Sequence, residues 1–366
     1  MRALVISDTH FGAWTGDDLL RHQFALDALS PALADVDELI ILGDLYDFLF
    51  STVKNAFASA EAFFSLVEER MAGKRLVFLA GNHDHHIAVR QLATYVEFEV
   101  ATADEEELEA ALAGHRGYFK RYLDRRLPDI DSEIVYPTYR FGDALCFHGH
   151  YLDAHMTGSL ADRLLNRGTW GIAGGRQPKP TISDYEATIV PLTELLYTVA
   201  QLPNGTAAQQ SALEHLQRLA HLAGFVRAPA RELSRLRKTL RGRGRSRAEP
   251  NPTRTVDPTD HPSGALSAYG KVVRNLGWDH ETKTMVFAHT HQPLARAADD
   301  AGDGLVFWNT GSWIYEPPRD DEAWERYRER AWPGSAVLLD TERSEPELLH
   351  LLESYAVQGP GWEPSA

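Results

Sequence analysis

Cysteine is nearly missing from this 366-residue chain: Cys146 stands alone, which excludes an intrachain disulfide and a cysteine-rich zinc site and fits a reducing compartment. Long apolar runs are missing as well, and none approaches the ~18 residues of a membrane span. The apolar stretch at the N-terminus meets Asp8 too soon for the core of a signal peptide, so the expected setting is soluble and cytoplasmic. Positive charge is in deficit, with 37 Lys and Arg against 52 Asp and Glu, and the net charge of −15 argues against broad coating of nucleic acid. With 43% hydrophobic and 24% charged residues the composition is nevertheless globular, and the length suffices for a sizeable core without staples.

What the chain does have is a series of short apolar runs that stop at ligand-type residues. Val5 and Ile6 end at Ser7-Asp8-Thr9-His10, Leu39 to Leu42 at Gly43-Asp44, and Leu76 to Ala80 at Gly81-Asn82-His83-Asp84. Ala144 to Phe147 end at His148-Gly149-His150, and Met285 to Ala288 at His289-Thr290-His291. These runs read as buried strands. Between them Leu19, Leu20, Phe24 and Leu29, then Phe57, Ala60, Phe64 and Val67, recur at helical spacing, so strand and helix alternate and an α/β layer architecture is predicted. Open α/β sheets bind ligands beyond the carboxyl ends of their strands, so the five strand ends are expected to converge on one cleft. Leu305 to Trp308, Ala336 to Leu339 and Leu348 to Leu352 are further predicted strands.

Residues 151 to 267 break this rhythm. Tyr185 to Tyr197 and Ala207 to Phe225 carry helical spacing around a turn at Pro203-Asn204-Gly205, which predicts an α-helical insertion. Arg227, Arg231, Arg235, Arg237, Lys238, Arg241, Arg243, Arg245 and Arg247 follow, opposed only by Glu232, and then a Pro-rich stretch to Pro262. The segment near 227–263 is expected to be mobile, at least from Gly242 to Ser263. Such a tract suits phosphates, RNA or an anionic membrane surface, or is plainly solvated. The chain thus divides into a catalytic domain of 1–150 and 268–366 and an insertion of 151–267.

Aspartate, asparagine and histidine suit hard-to-borderline divalent cations, and a site for two such ions needs about seven of them with one carboxylate shared. Asp8, His10, Asp44, Asn82, His148, His289 and His291 supply that number. Taken together they would be costly as buried polar groups without a metal.

The ordered set Asp8-Thr-His10, Gly43-Asp44-Leu-Tyr-Asp47, Gly81-Asn82-His83-Asp84, His148-Gly-His150 and His289-Thr-His291 resembles the signature of the calcineurin-like metallophosphoesterases. The resemblance spans roughly residues 1–150 and 268–315, and Ala288 departs from it where the family has glycine. It implies two facing mixed β-sheets flanked by helices, a four-layer sandwich, here with residues 151–267 as a cap. It also implies two divalent ions, manganese, iron or zinc: one on Asp8, His10, Asp44 and His291, the other on Asp44, Asn82, His148 and His289, with Asp44 as the bridge. A metal-bridging hydroxide would attack a phosphomonoester or phosphodiester of small or medium size. His83 would protonate the leaving oxygen as general acid, and Asp84 would orient its ring. Two other substrate classes stay open. One is a polynucleotide guided by the Arg tract, as in a nuclease. The other is a nucleotide-lipid pyrophosphate, since Ile41-Leu-Gly-Asp-Leu-Tyr-Asp-Phe48 is also similar to the UDP-diacylglucosamine pyrophosphatase branch, although that branch commonly has arginine where His83 stands. A binding module on a disabled scaffold is disfavoured because no ligand is missing.

Around this set, His85, His86 and His150 are substrate contacts or outlying residues, and Asp47 either bonds a ligand histidine or caps a helix. Asn309, Gly311 and Ser312 read as structural support. Trp170 and Arg176 read as loop residues, and Asp104 to Glu107 as a solvated helix start.

Overall fold

A computed structural model describes residues 1–13, 17–87, 119–156, 180–201, 262–317 and 321–358. Its strands are β1 (Arg2–Ile6), β2 (Asp17–Asp18), β3 (Glu38–Leu42), β4 (Arg75–Leu79), β5 (Asp131–Val135), β6 (Thr138–Phe141) and β7 (Ala144–Phe147). They continue with β8 (Thr284–Phe287), β9 (Leu294–Ala297), β10 (Val306–Asn309), β11 (Ile314–Tyr315), β12 (Ser335–Asp340) and β13 (Glu347–His350). One sheet has the order β13-β12-β1-β3-β4-β5 and a second the order β6-β7-β8-β10-β9, while β11 and β2 pair separately. In the first, β1, β3, β4 and β5 are parallel, β12 runs antiparallel to β1, and β13 runs antiparallel to β12. In the second, β7, β8 and β10 are parallel, with antiparallel β6 and β9 at the edges.

Alternate residues of each strand face opposite ways, and here both ways are buried. Ala3, Val5, Ile40, Leu42, Val77 and Leu79 of the first sheet meet Cys146, Val286, Ala288 and Trp308 of the second in a shared middle layer. On the far side of the first sheet, Leu4, Ile6, Leu39, Ile41, Leu76 and Phe78 pack in one cluster with α1 (Gln23–Ala34), α2 (Val53–Ser59) and α3 (Glu61–Met71). On the far side of the second, Leu145, Phe147, Met285, Phe287 and Phe307 meet Tyr269, Val272 and Val273. Burial on both faces is why the central strands are continuous apolar runs rather than alternating ones. The result is the expected α/β sandwich of two mixed sheets flanked by helices.

The predicted helical run over Phe57 to Val67 is broken at Ala60, whose N–H is shared between the carbonyls of Ala56 and Phe57 where α2 gives way to α3. Thr52 caps α2 by accepting the Asn55 N–H. After α4 (Asp153–Met156), the predicted helix at Tyr185 to Tyr197 lies within α5 (Ile182–Gln201). The next described helix, α6 (Pro262–Leu276), runs across the expected end of the insertion at residue 267 and includes the last residues of the segment expected to be mobile. Its Leu266, like Tyr151, Leu152 and Tyr185 from the other end of the insertion, is buried in the cluster behind the second sheet. α7 (Asp321–Arg330) precedes β12. The run Ala207 to Phe225, the Arg tract with its nucleic-acid and membrane readings, Trp170, Arg176 and Asp104 to Glu107 lie outside the described residues.

Candidate metal centre

Parallel pairing brings the carboxyl ends of β1, β3 and β4 to one edge, and the second sheet sets β7 and β8 against them. The loops beyond are cross-linked through the backbone. Asp8 N–H donates to Gly43 O at 3.1 Å, His10 N–H to Asp44 O at 2.9 Å, and Ala288 N–H to His148 O at 3.0 Å. The sheets are joined where His289 N–H donates to Asp8 Oδ2 at 3.2 Å. Asp8, His10, Asp44, His289 and His291 all have positive φ, between 48° and 68°, and Arg296 is the only other such non-glycine residue among those described. Left-handed backbone costs an ordinary residue roughly 1–2 kcal/mol, and strain concentrated in one set of residues marks a functional site. Glycine is required between them: a Cβ at Gly43 would lie 2.4 Å from His148 Nδ1, and one at Gly81 2.2 Å from Asp44 Oδ1.

The seven predicted ligands come together. Asp8, His10 and His291 have ligand atoms within 4.8 Å of one another, and so do Asp44, His148 and His289. His10 Nε2 links the two groups, 3.9 Å from Asp8 Oδ1 and 3.8 Å from Asp44 Oδ2. His10 Nε2 and His291 Nε2 are 3.2 Å apart, and His291 Nε2 is 3.2 Å from Asp8 Oδ1. His148 Nε2 lies 3.3 Å from Asp44 Oδ2 and 3.2 Å from Asn82 Oδ1.

These donors fit cations. Asp8 Oδ2 is occupied by Ser7 Oγ and the His289 N–H, while Oδ1 is buried with no hydrogen-bond partner. His148 Nδ1–H is committed to Leu42 O at 2.8 Å, so in the neutral ring Nε2 presents a lone pair to two oxygen acceptors. Only a cation reconciles that arrangement. In the metal-free chain a proton does so: burial pulls His148 down, but Asp44 overrides it and lifts the imidazole to about 10. Burial, with His83 beside it, pushes His10 down to about 4 and leaves it neutral for ligation.

One sequence-based assignment changes. The partner of His83 Nδ1 is Asp47 Oδ1, at 2.8 Å, rather than Asp84. Asp84 instead takes backbone N–H groups of Gly81 (2.7 Å), Leu45 (2.8 Å), Asp44 and Tyr46 (each 3.3 Å), binding the Asp44 and Asn82 loops together. Burial and the Asp44 charge push Asp84 up to about 7, and the N–H donors oppose them. Asn309 supports the last histidine pair, its Nδ2 donating to Ala288 O and Thr290 Oγ1, and its Oδ1 accepts the Gly311 N–H.

A family model for the calcineurin-like phosphoesterases matches residues 1–190, just over half of the chain. The chain belongs to the calcineurin-like phosphoesterase family. A comparison with curated proteins finds no match. Hydrolysis of a phosphate ester with divalent metal ions is therefore its chemistry, and Asp8, His10, Asp44, Asn82 and His148 fall inside the matched residues. His289 and His291 fall outside them, and it is the fold of this phosphoesterase that returns them to the site. No helix among the described residues is long and apolar enough to cross a membrane.

Sequence reasoning missed three acids beside the centre. Asp153 Oδ1 is 3.1 Å from His289 Nε2, Glu316 Oε2 is 3.5 Å from His291 Nδ1, and Glu186 Oε2 is 2.7 Å from His85 Nε2. Asp153 follows the His148 block by only five residues, the one sequence signal that was available.

Proposed function

We propose that the centre is binuclear, with Asp8, His10, Asp44 and His291 holding one divalent ion and Asp44, Asn82, His148 and His289 the other. The observation that carries this reading is the pair of aspartate–histidine groups adjoining at Asp44 and His10. Manganese, iron or zinc suits such mixed nitrogen and oxygen donors. When bound, the ions supply Lewis acidity and a nucleophilic hydroxide near neutral pH. Two divalent ions would carry four positive charges against the two negative charges of their carboxylate ligands Asp8 and Asp44, which favours an anionic ester.

His83 is the general acid. In the metal-free chain burial lowers it, but Asp44 and then Asp47 outweigh burial and raise it to about 9. Asp47 holds Nδ1, fixing which nitrogen faces the cleft. The His83 ring centroid lies 4.5 Å from that of His10, and the His83 backbone N–H donates to Asp44 Oδ1 at 2.8 Å. The insertion that begins near residue 151 acts as a cap, since α5 lies against the loops of the centre, and the substrate is a small or medium phosphomonoester or phosphodiester. The test is a hydrolysis screen of manganese-loaded protein against monoesters, diesters, nucleotide-lipid pyrophosphates and single-stranded DNA. Turnover of monoesters or diesters above the other two supports the reading, and preference for DNA or for the pyrophosphate overturns it.

A further inference from the structure

One carboxylate outside the ligand set ties together two of the loops that carry ligands of the second ion. Glu186 belongs to α5, 101 residues along the chain from His85. Its Oε2 accepts His85 Nε2–H at 2.7 Å, and its Oε1 accepts the hydroxyls of Tyr136 and Tyr151. Tyr136, having donated to Glu186, is left to accept from His150 Nε2 at 3.3 Å. His85 lies one turn beyond Asn82 and His83, in a turn closed by Ile87 N–H to Asp84 O at 2.9 Å. His150 and Tyr151 follow His148 after Gly149, and the His150 and His148 ring centroids are 5.4 Å apart.

α5 is well placed to act as this anchor. Tyr197 stacks on His86 with centroids 3.8 Å apart. Gln201 accepts the Val53 N–H at 3.0 Å and donates to Ser51 O at 2.9 Å, clamping the helix to the start of α2. The three anchors fall at 186, 197 and 201, eleven and four residues apart, and so lie along one face of the helix. His85, His150 and Tyr151 are each at most 3% exposed, so loss of the carboxylate would strand several buried donors at once.

We propose that Glu186 is a positioning residue for the second ion, tying the Asn82 loop to the His148 loop so that Asn82 Oδ1 and His148 Nε2 stay 3.2 Å apart. The proposal rests on the binuclear reading above. It gives the insertion a role at one ion and not at the other, because Asp8, His10 and His291, which hold the first ion with Asp44, lie on neither loop. Groups that orient metal ligands are typically worth about 10–100-fold in affinity.

The test is calorimetric titration of the metal-free full chain with Mn²⁺. Wild type is expected to show two sites. Glu186→Gln, which keeps the shape and removes the charge, is expected to weaken one of them by about 10–100-fold and leave the other unchanged, and Asn82→Ala is expected to weaken that same site without adding to the Glu186→Gln defect. The double variant Tyr136→Phe/Tyr151→Phe cuts the tie on the His148 side alone and is expected to act in the same direction. It decides the matter should Glu186→Gln not fold. Two sites of wild-type affinity in the folded variants, or an equal loss at both, overturn the role of Glu186 while leaving the binuclear reading standing. A wild-type chain that binds fewer than two ions overturns that reading and the proposal with it.

Discussion

The central sheet carries charge at both of its ends, and the two ends are built on opposite plans. Glu38 opens β3, Arg75 opens β4 and Glu133 lies on β5. There Arg75 contacts Glu133, sits 3.8 Å from Glu38 and covers the Tyr139 ring at 5.8 Å. At the carboxyl ends Asp8, Asp44, Asp47 and Asp84 are all buried, and among the described residues none of them pairs with lysine or arginine. One end is balanced by the protein's own cations. The other is balanced by histidines and backbone N–H groups, leaving room for charge from outside. Two unit charges 4 Å apart interact by about 4 kcal/mol at an effective dielectric of 20, so an excess of carboxylates is tolerable in a folded chain only where something positive can be added.

The sharpest way to break this contrast is Asp44→Ala. If Asp44 is shared, both ions and activity are lost together, with a rate loss of about 10³-fold or more from the several kcal/mol that metal charge stabilisation supplies. Elemental analysis showing two ions per chain in the variant would refute the bridge. Next is His83→Ala, expected to keep its ions and to lose ~10² to 10⁴ in rate on alkyl esters. Nitrophenyl esters, whose leaving group is already a stable anion, should suffer much less, so an equal loss on both series would remove the general-acid role.

A smaller effect is the pH dependence of metal binding. As a proposed ligand, His148 would have to shed its proton, and in the metal-free chain that proton is held up to about pH 10. Affinity for Mn²⁺ should therefore rise with pH, about tenfold per unit for that proton, and flatten above it. A flat titration between pH 6 and 8 would contradict this. The smallest effect belongs to the opposite end of the sheet. Arg75→Met leaves Glu38 without its cation and should cost about 1–3 kcal/mol of stability, read as a lower midpoint of thermal unfolding, with kcat/KM unchanged. A fall in kcat/KM would show that the two ends are not independent.

Much of the site was legible because doubly buried parallel strands are written as plain apolar runs, so that Asp8, Asp44, Asn82, His148 and His289 stood out as the first ligand-type residues after them. Of the edge strands, β13 overlaps the predicted run at Leu348 to Leu352, but β5, β6 and β9 were not legible. β9 reads Leu-Ala-Arg-Ala and β5 Asp-Ser-Glu-Ile-Val, mixtures that a half-solvated strand tolerates and that no period identifies. Orienting Asp84 on His83 followed from their adjacency in sequence. Neighbouring side chains in a tight loop diverge, and the partner came from Asp47, 36 residues earlier. Glu186 carries no local signal, being one acid on an amphipathic helix, and only the tertiary fold shows where it points.

The order in which the centre is assembled has a consequence for biosynthesis. β8 is inserted between β7 and β10, and His289 N–H meets Asp8 Oδ2 across 281 residues of chain. A nascent polypeptide that has reached residue 190 contains the whole stretch matched by the family, yet it lacks both closing histidines and the middle of the second sheet. Asp8 then lacks its contacts with the His289 N–H and with His291. On the proposed ligand set, both ion sites would be complete only once the second sheet is, so bound ions would mark finished molecules.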